Sequence, residues 1–520
     1  MNTSEFLNIT ALIAPKRVAL VFDGKRFTYE ELAERVDKLA NALAGLGVGK
    51  GDRVAMIQVN CNEHVEAYFA TAQLDAVYVS LNFRWSKEEI EHVLRDSSPS
   101  VLISGMRYTD MIDQDGIQVD ELNSFIVLDG SVDGWLSYDD LIYSASTERR
   151  LPESDGDDLT MLMFTAGTTG NPKGVMLSHG SFSSYILSNV TPVNLEYEEK
   201  NILTVPLYHI AGVQAVMAAI YGGRTLVIQK QFEPREWMRL VEQEEADRAM
   251  MVPTMLKMVL DHPEFSNYDL PSLSVITYGA ASMPLEVIRR AIDMFPDASF
   301  INAFGQTETA STITMLPPED HILEGSPEEM AVRLNRLTSI GRPLEDVEVQ
   351  IVDGNREPVA EGDIGEIIAR GPRLMSGYWN QQKATAEALK DGWLHTGDLG
   401  YFDEDGYIFL SGRAKDFIKR GGEMISPEEV EQVIQAHPAV DEVAIIGVPD
   451  LHWGERIRAI VVNKPGCEVD ENDVIEYCRS RLSSFKKPES VIVVEELPRN
   501  SLGKVLKTVL KDQFTHPIEQ

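Results

Sequence analysis

The sequence predicts an α/β protein, with a large N-terminal domain of stacked mixed and parallel sheets with helices and a small, mobile α+β C-terminal domain. Three observations carry this. Strand-like and helix-like segments alternate through the first third of the chain, the texture turns glycine- and charge-rich near residue 395, and 520 residues exceed what one hydrophobic core serves.

"RVALVF" reads as a strand. "TYEELAERVDKLANALAGLG" has apolar residues at helical spacing and a glycine stop, and "DRVAMIQ" returns as a strand. The rhythm repeats in "HVEAYFATAQLDA", "VYVSLN", "SKEEIEHVLRD" and "SVLIS". Strands separated by helices imply parallel pairing through right-handed crossovers. The longest uncharged run, Asn201 to Gly223, is interrupted by Pro206, His209 and Gln214, so it reads as a buried strand plus helix and not as a membrane span. From His395 the stretch to Ile434 suits hairpins and turns. The strands "EVAIIGV", "IRAIVVN" and "ESVIVVEEL" and a helix from Glu471 then complete a unit of ordinary domain size. The expected domains are 1–414 and 415–520.

Composition narrows the function. At 43% hydrophobic and 25% charged residues the chain is an ordinary globular protein, and its formal net charge of -35 repels nucleic acid and anionic lipid. An anionic ligand must then be held by a local cluster of donors. Cys61, Cys467 and Cys478 are odd in number and widely spread, forming neither a disulfide framework nor a zinc site. The start "MNTSEFLNIT" lacks the basic region of a secretory signal, and the expected compartment is the cytoplasm.

One short stretch concentrates the chemistry. "TAGTTGNPKG", Thr165 to Gly174, lies between the strands "LTMLMF" and "GVMLSH". Glycines let backbone N–H groups approach an anion, threonine hydroxyls add donors, and Lys173 supplies a charge-assisted contact. Phosphate is the matching ligand. The loop is not of the Walker A type, because Gly174 and not Ser or Thr follows Lys173.

This loop resembles the signature of the adenylate-forming superfamily, which contains acyl-CoA synthetases, coumarate–CoA-type ligases, firefly-type luciferases and peptide-synthetase adenylation domains. Further matches follow in order along most of the chain. "FTYEEL" and "GDRVAMI" resemble its N-terminal pattern, "PLYHIAG" the segment flanking the acyl pocket, "TYGAASMP" the adenine wall, and "NAFGQTETA" the strand-end motif. "HTGDLGYFDEDGYI" resembles the ribose motif, "GRAKDFIKRGGEMISPEEVE" the hinge and its loop, and "LPRNSLGKVLK" the C-terminal lysine motif.

The resemblance implies an enzyme that joins a carboxylate to AMP, releases pyrophosphate and passes the acyl group to a thiol. Two anions meet in the first step, so positioning and charge neutralisation dominate. ATP is expected against Thr165, Ala166, Gly167, Thr168, Thr169, Gly170 and Lys173. The adenine is expected at Gly279, Ala280 and Ala281, whose small side chains leave a slot, with Asn302, Ala303, Phe304, Gly305 and Gln306 beside it. Thr307 would touch the phosphates and Glu308 would hold Mg²⁺, for which oxygen ligands suit. Asp398 would accept from both ribose hydroxyls, and Arg413 would reach the ribose or phosphates. Lys504 is implied to bridge carboxylate and phosphate oxygens during adenylation, and Lys415 to be the hinge about which the small domain swings.

Coenzyme A is the expected thiol. The hinge loop would contribute Lys419, Gly421, Gly422 and Glu423, with Trp453 and Phe485 as stacking aromatics and Arg84 and Lys487 as phosphate cations. Glu489 departs from relatives that place a further cation there. His209, Val213, Tyr278, Ala280, Gly305 and Ala310 should line an apolar acyl pocket, admitting fatty, alicyclic or aromatic acids. An amino-acid-activating domain would need a carboxylate where His209 and Ile210 stand, so a substrate without an α-amine is preferred. A luciferase-like or carrier-protein-loading enzyme shares these motifs, and a non-catalytic nucleotide sensor is a further rival that Glu308 and Lys504 argue against. A monomer and a homodimer are both compatible with the sequence.

Overall fold

The computed structural model describes residues 1–112, 119, 121–165, 172–413, 416–420, 423–450, 453–479, 481–483, 485–499, 503 and 505–515, with backbone alone at 423 and 424. They fall into two compact units. The first comprises Met1–Glu348 with Ala369–Leu394, the second Val349–Ile368 with His395–Gln520. The expected junction at 414/415 lies outside the described residues.

In the first unit two sheets carry the architecture. Among the described residues one sheet orders its strands Arg342–Pro343, Ser311–Leu316, Ser299–Gln306, Val275–Gly279, Arg248–Met251, Lys200–Leu203, Thr225–Ile228, Val18–Phe22 and Lys25–Thr28. Its interior, from Ser299–Gln306 to Val18–Phe22, pairs in parallel, and antiparallel strands flank both sides. The other sheet runs Gly377–Tyr378, Lys173–Ser178, Leu159–Thr165, Val77–Leu81, Arg53–Ile57, Val101–Ser104, Ser124–Val127 and Leu136–Ser137. Leu159–Thr165 and Lys173–Ser178 are antiparallel neighbours, with Thr165 opposite Lys173. The phosphate-type loop therefore begins and ends at one sheet position.

Local sequence explains the helices. Tyr29–Gly45 starts at a capping box in which Thr28 and Glu31 satisfy each other's backbone N–H groups, and Lys87–Ser97 repeats this with Ser86 and Glu89. Ile210–Tyr221 is buried along most of its length, and Lys200–Leu203 precedes it as a strand, so the long uncharged run is a buried strand plus helix. One apolar core gathers side chains of both sheets and of the helices Tyr29–Gly45, Asn62–Gln73 and Ile210–Tyr221, including Leu39, Phe69, Val175, Met217 and Leu226.

The second unit has its own cores. Ile418, Val430, Ile445, Ile457 and Val474 form one, and Ile446, Ile460, Leu497 and Leu510 another. Val440–Asp450 pairs antiparallel with Gly454–Asn463, which pairs in parallel with Ser490–Val494. The hairpin Ile418–Arg420 with Glu423–Ile425 joins the same sheet, and the helices Pro427–Gln435 and Glu471–Arg479 complete the α+β arrangement.

Candidate functional site

Strand ends of the first unit bring together residues far apart in sequence. Lys173 opens the strand that leaves the glycine-rich stretch, while Glu308 sits in the single turn Thr307–Thr309 that follows Ser299–Gln306. Both meet Tyr378. The Tyr378 hydroxyl donates to Glu308 Oε1 at 2.8 Å, and Lys173 Nζ lies 5.3 Å from the centre of the same ring. Three backbone contacts hold the tyrosine's segment. The Met375 N–H donates to Glu308 O at 2.8 Å, Trp379 N–H to Gly174 O at 2.7 Å, and Tyr378 pairs opposite Val175. Thr385 Oγ1 accepts from Tyr378 N–H at 2.8 Å.

Glu308 is half-buried, and its Oε1 is engaged by a hydroxyl. Among the described residues no group of three or more His, Cys, Asp or Glu could hold a metal alone. A single carboxylate beside the segment expected to bind phosphate fits a hard cation such as Mg²⁺, which keeps waters and substrate phosphates as its other ligands.

The expected adenine wall follows Val275–Gly279, in register with Asn302 and Ala303 on the adjacent strand. A side chain on Gly279 would meet Ala303 O at 2.1 Å, and one on Gly305 would meet Ser311 O at 1.6 Å. Close strand approach therefore demands glycine at both positions. Backbone strain collects nearby, with Ala280 at φ 67°, Ala310 at φ 47° and Ser311 at φ 95°. Ala280 is exposed and Ala281 half-buried, as are Ala303, Phe304, Gln306 and Thr307. Asn302 is buried and donates to Ser339 O at 3.1 Å.

Residues expected around the acyl group divide. Val213 borders an apolar cavity with Tyr68, Met161, Leu207, Val216 and Met217. Tyr278 is fully buried, its hydroxyl 2.9 Å from His321 Nε2, and Ala310 is also buried. His209 and Gly305 are half-buried. Burial first, and then the positive charge of Arg84, push the His209 imidazole down to about 3, so it is neutral. Arg84, expected as a CoA cation, is exposed, with its guanidinium over the Phe83 ring, and Phe83 packs edge-on to Tyr208.

In the second unit Asp398 and Arg413 face each other across antiparallel strands, with Arg413 Nε 2.8 Å from Asp398 Oδ1. Both expected ribose residues thus meet. Trp453 and Phe485 are exposed and are linked by Arg420, which the sequence did not single out. Its guanidinium lies 5.5 Å from the Trp453 ring centre, donates to Phe485 O at 2.5 Å and pairs with Glu489. Glu489 also accepts from Ile457 N–H at 3.1 Å, so the carboxylate that departs from the family pattern is used within this unit. Lys419 is exposed and Lys487 half-buried.

Ala166, Gly167, Thr168, Thr169, Gly170, Lys415, Gly421, Gly422, Lys504 and the Glu423 side chain lie outside the described residues. Tyr378 and Arg420 are the functional candidates that sequence reasoning missed. Arg420 lies inside the hinge stretch "GRAKDFIKRGGEMISPEEVE" and was within reach. Nothing local in "SGYWN" marks the partner of the Tyr378 hydroxyl.

Residues 9–379 match the family model described as AMP-binding enzyme, and residues 429–504 match the AMP-binding enzyme C-terminal domain. A feruloyl-CoA synthase from an Amycolatopsis species is 35% identical over 505 residues, 97% of each chain. The long-chain-fatty-acid–CoA ligase FadD13 of Mycobacterium tuberculosis is 34% identical over 519 residues, 99% of each chain. The solved structure of the anthranilate CoA ligase AuaEII in complex with anthranoyl-AMP has a TM-score of 0.89 at 26% identity, covering 99% of this chain and 97% of that one.

Proposed function

The chain belongs to the AMP-binding enzyme family as an AMP-forming acyl-CoA ligase, and from that premise we propose that it activates a fatty, alicyclic or aromatic acid lacking an α-amine. ATP and the acid give an acyl-adenylate and pyrophosphate, and CoA then takes the acyl group with release of AMP. The observation that carries the assignment of roles is the convergence of Lys173 and Glu308 on Tyr378. A cation from the phosphate-type segment and a carboxylate suited to a metal stand at one place, as phosphoryl-type chemistry requires.

Lys173 binds phosphate oxygens, Thr307 contacts them, and Glu308 would hold Mg²⁺, which would supply neutralisation of the phosphate charge. Asp398 holds the ribose hydroxyls with Arg413 beside it. Lys504 brings its ammonium to the place where carboxylate and α-phosphate charges converge, and rotation about Lys415 exchanges residues 415–520 from that role to presenting CoA. Trp453, Phe485, Arg84, Lys419 and Lys487 contact the coenzyme. An apolar acyl pocket favours apolar acids, and one methylene in such a pocket changes specificity by about 1–3 kcal/mol. Three free cysteines suit a reducing compartment, and we place the enzyme in the cytoplasm as a monomer or homodimer.

The test is pyrophosphate release over a panel of acids with ATP and Mg²⁺, with and without CoA, and mass identification of the thioester. Release that depends on an acid, and thioester that depends on CoA, support the reading. Silence in pyrophosphate–ATP exchange for every fatty, alicyclic and aromatic acid would overturn it.

A further inference from the structure

We propose that Tyr378 is a positioning residue that sets the Glu308 carboxylate for the divalent cation and couples it to the phosphate-binding Lys173. The inference rests on the metal role given to Glu308 above, and goes beyond it by assigning a function to a side chain outside the recognised motifs.

The argument begins with the backbone. Gly377 and Tyr378 form a short strand against Lys173–Ser178, and Gly377 has φ 143°, a conformation that favours glycine. A side chain at Gly377 would also meet Thr385 Cγ2 at 2.7 Å, so glycine is needed where the chain turns into the tyrosine. Tyr378 is then held on both sides, by its own N–H to Thr385 Oγ1 and by Trp379 N–H to Gly174 O. A side chain fixed this firmly presents its hydroxyl at a defined point.

That point is Glu308. The turn carrying the carboxylate is tied to the same segment through its carbonyl, which accepts from Met375 N–H. Backbone and side chain of one short segment therefore grip the backbone and side chain of Glu308. A hydroxyl donating to Oε1 restricts carboxylate rotation and directs the remaining lone pairs, the role that hydrogen-bonded partners play for metal-binding carboxylates. The ring performs a second task. With Lys173 Nζ 5.3 Å from its centre, its electron-rich face attracts the ammonium, holding a cation near a carboxylate without direct neutralisation of one by the other.

Two variants separate these tasks. Tyr378→Phe keeps the ring beneath Lys173 and removes the hydroxyl, while Tyr378→Leu removes both. ATP binding to the full chain is measured by calorimetry without any acid, once with Mg²⁺ and once with EDTA. The ratio of the two Kd values isolates the metal's contribution and reads equilibrium binding, not turnover. Tyr378→Phe should lower that ratio roughly tenfold, the size expected for a lost hydrogen bond to a charged group, and leave the Kd in EDTA within about twofold. Tyr378→Leu should also raise the Kd in EDTA by about two- to fivefold. Glu308→Gln should collapse the ratio.

An unchanged ratio in Tyr378→Phe with a collapsed ratio in Glu308→Gln would overturn the role of Tyr378 and leave that of Glu308 standing. An unchanged ratio in both would overturn the metal assignment and the proposal together. If Tyr378→Phe weakened binding equally in Mg²⁺ and EDTA, the residue would be a structural support only, and the proposal would fall.

Discussion

Arg413 Nε stands 2.8 Å from Asp398 Oδ1, each residue directly opposite the other on neighbouring antiparallel strands. The two residues proposed for one ribose therefore form a pair with each other. Asp398 is buried and Arg413 half-buried, so the guanidinium orients the carboxylate. Asp398→Ala removes the acceptor proposed for both hydroxyls and leaves Arg413 without this partner. The expected result is a fall in kcat/KM for ATP of about 10²-fold or more, carried mainly by KM. A change smaller than threefold in pyrophosphate–ATP exchange would remove Asp398 from the ribose site.

Lys504 offers a test of the two half-reactions. A cation used where negative charge converges stabilises a transition state more than a bound substrate. Lys504→Ala should slow adenylation roughly 10²–10³-fold, by analogy with one lost oxyanion donor, and still convert supplied acyl-adenylate to thioester. Lys415→Pro should do the reverse, because proline limits the backbone rotation of a hinge. Equal loss of both steps in either variant would count against the division of labour.

Arg420 contacts Trp453 and Phe485, the two aromatics proposed above to meet the coenzyme, and pairs with Glu489. Arg420→Ala should raise KM for CoA about tenfold and leave acid-dependent pyrophosphate exchange within twofold. Unaltered CoA dependence would show that the exposed aromatics serve another purpose.

Buried histidines make the first unit acid-sensitive. Burial pushes His64, His179 and His321 down to about 4. In the unfolded chain each takes a proton near pH 6.5, while the folded form stays neutral to about 4. Stability from this source is intact above pH 6.5 and drains as pH falls towards 4, by about 2 kcal/mol per histidine at pH 5. Urea midpoints at pH 7.5 and pH 5 measure this, and identical midpoints would refute it.

Gly305 is required by strand packing, since an added side chain would lie 1.6 Å from Ser311 O. Gly305→Ala should lower the unfolding temperature by several degrees, because overpacking against backbone costs about 1–3 kcal/mol or more. Gly49→Ala, where a side chain meets open space, is the control and should stay within about 0.5 kcal/mol. Equal midpoints in the two variants would contradict the packing argument.

Much of the fold was legible. Periodic helices with capping residues, such as Tyr29–Gly45 behind Thr28, and apolar strands, such as Val77–Leu81, declare themselves through neighbours a few residues away. The change of texture near residue 395 coincides with the start of the larger segment of the second unit. That Val349–Ile368 belongs to that unit was not legible, because its strands are ordinary and only distant pairing assigns them.

The sequence pointed to the reaction class through its resemblance to the adenylate-forming superfamily, which is legible because motifs that bind a nucleotide are short runs whose chemistry is local: glycines for close backbone approach, a lysine for charge, a carboxylate for a hard cation. Tertiary structure alone decided that Tyr378 stands between Lys173 and Glu308, and that Arg420 pairs with Glu489. These relations arise from strand pairing between segments remote in the chain, and a side chain's partner across such a pairing leaves no mark on its neighbours in sequence.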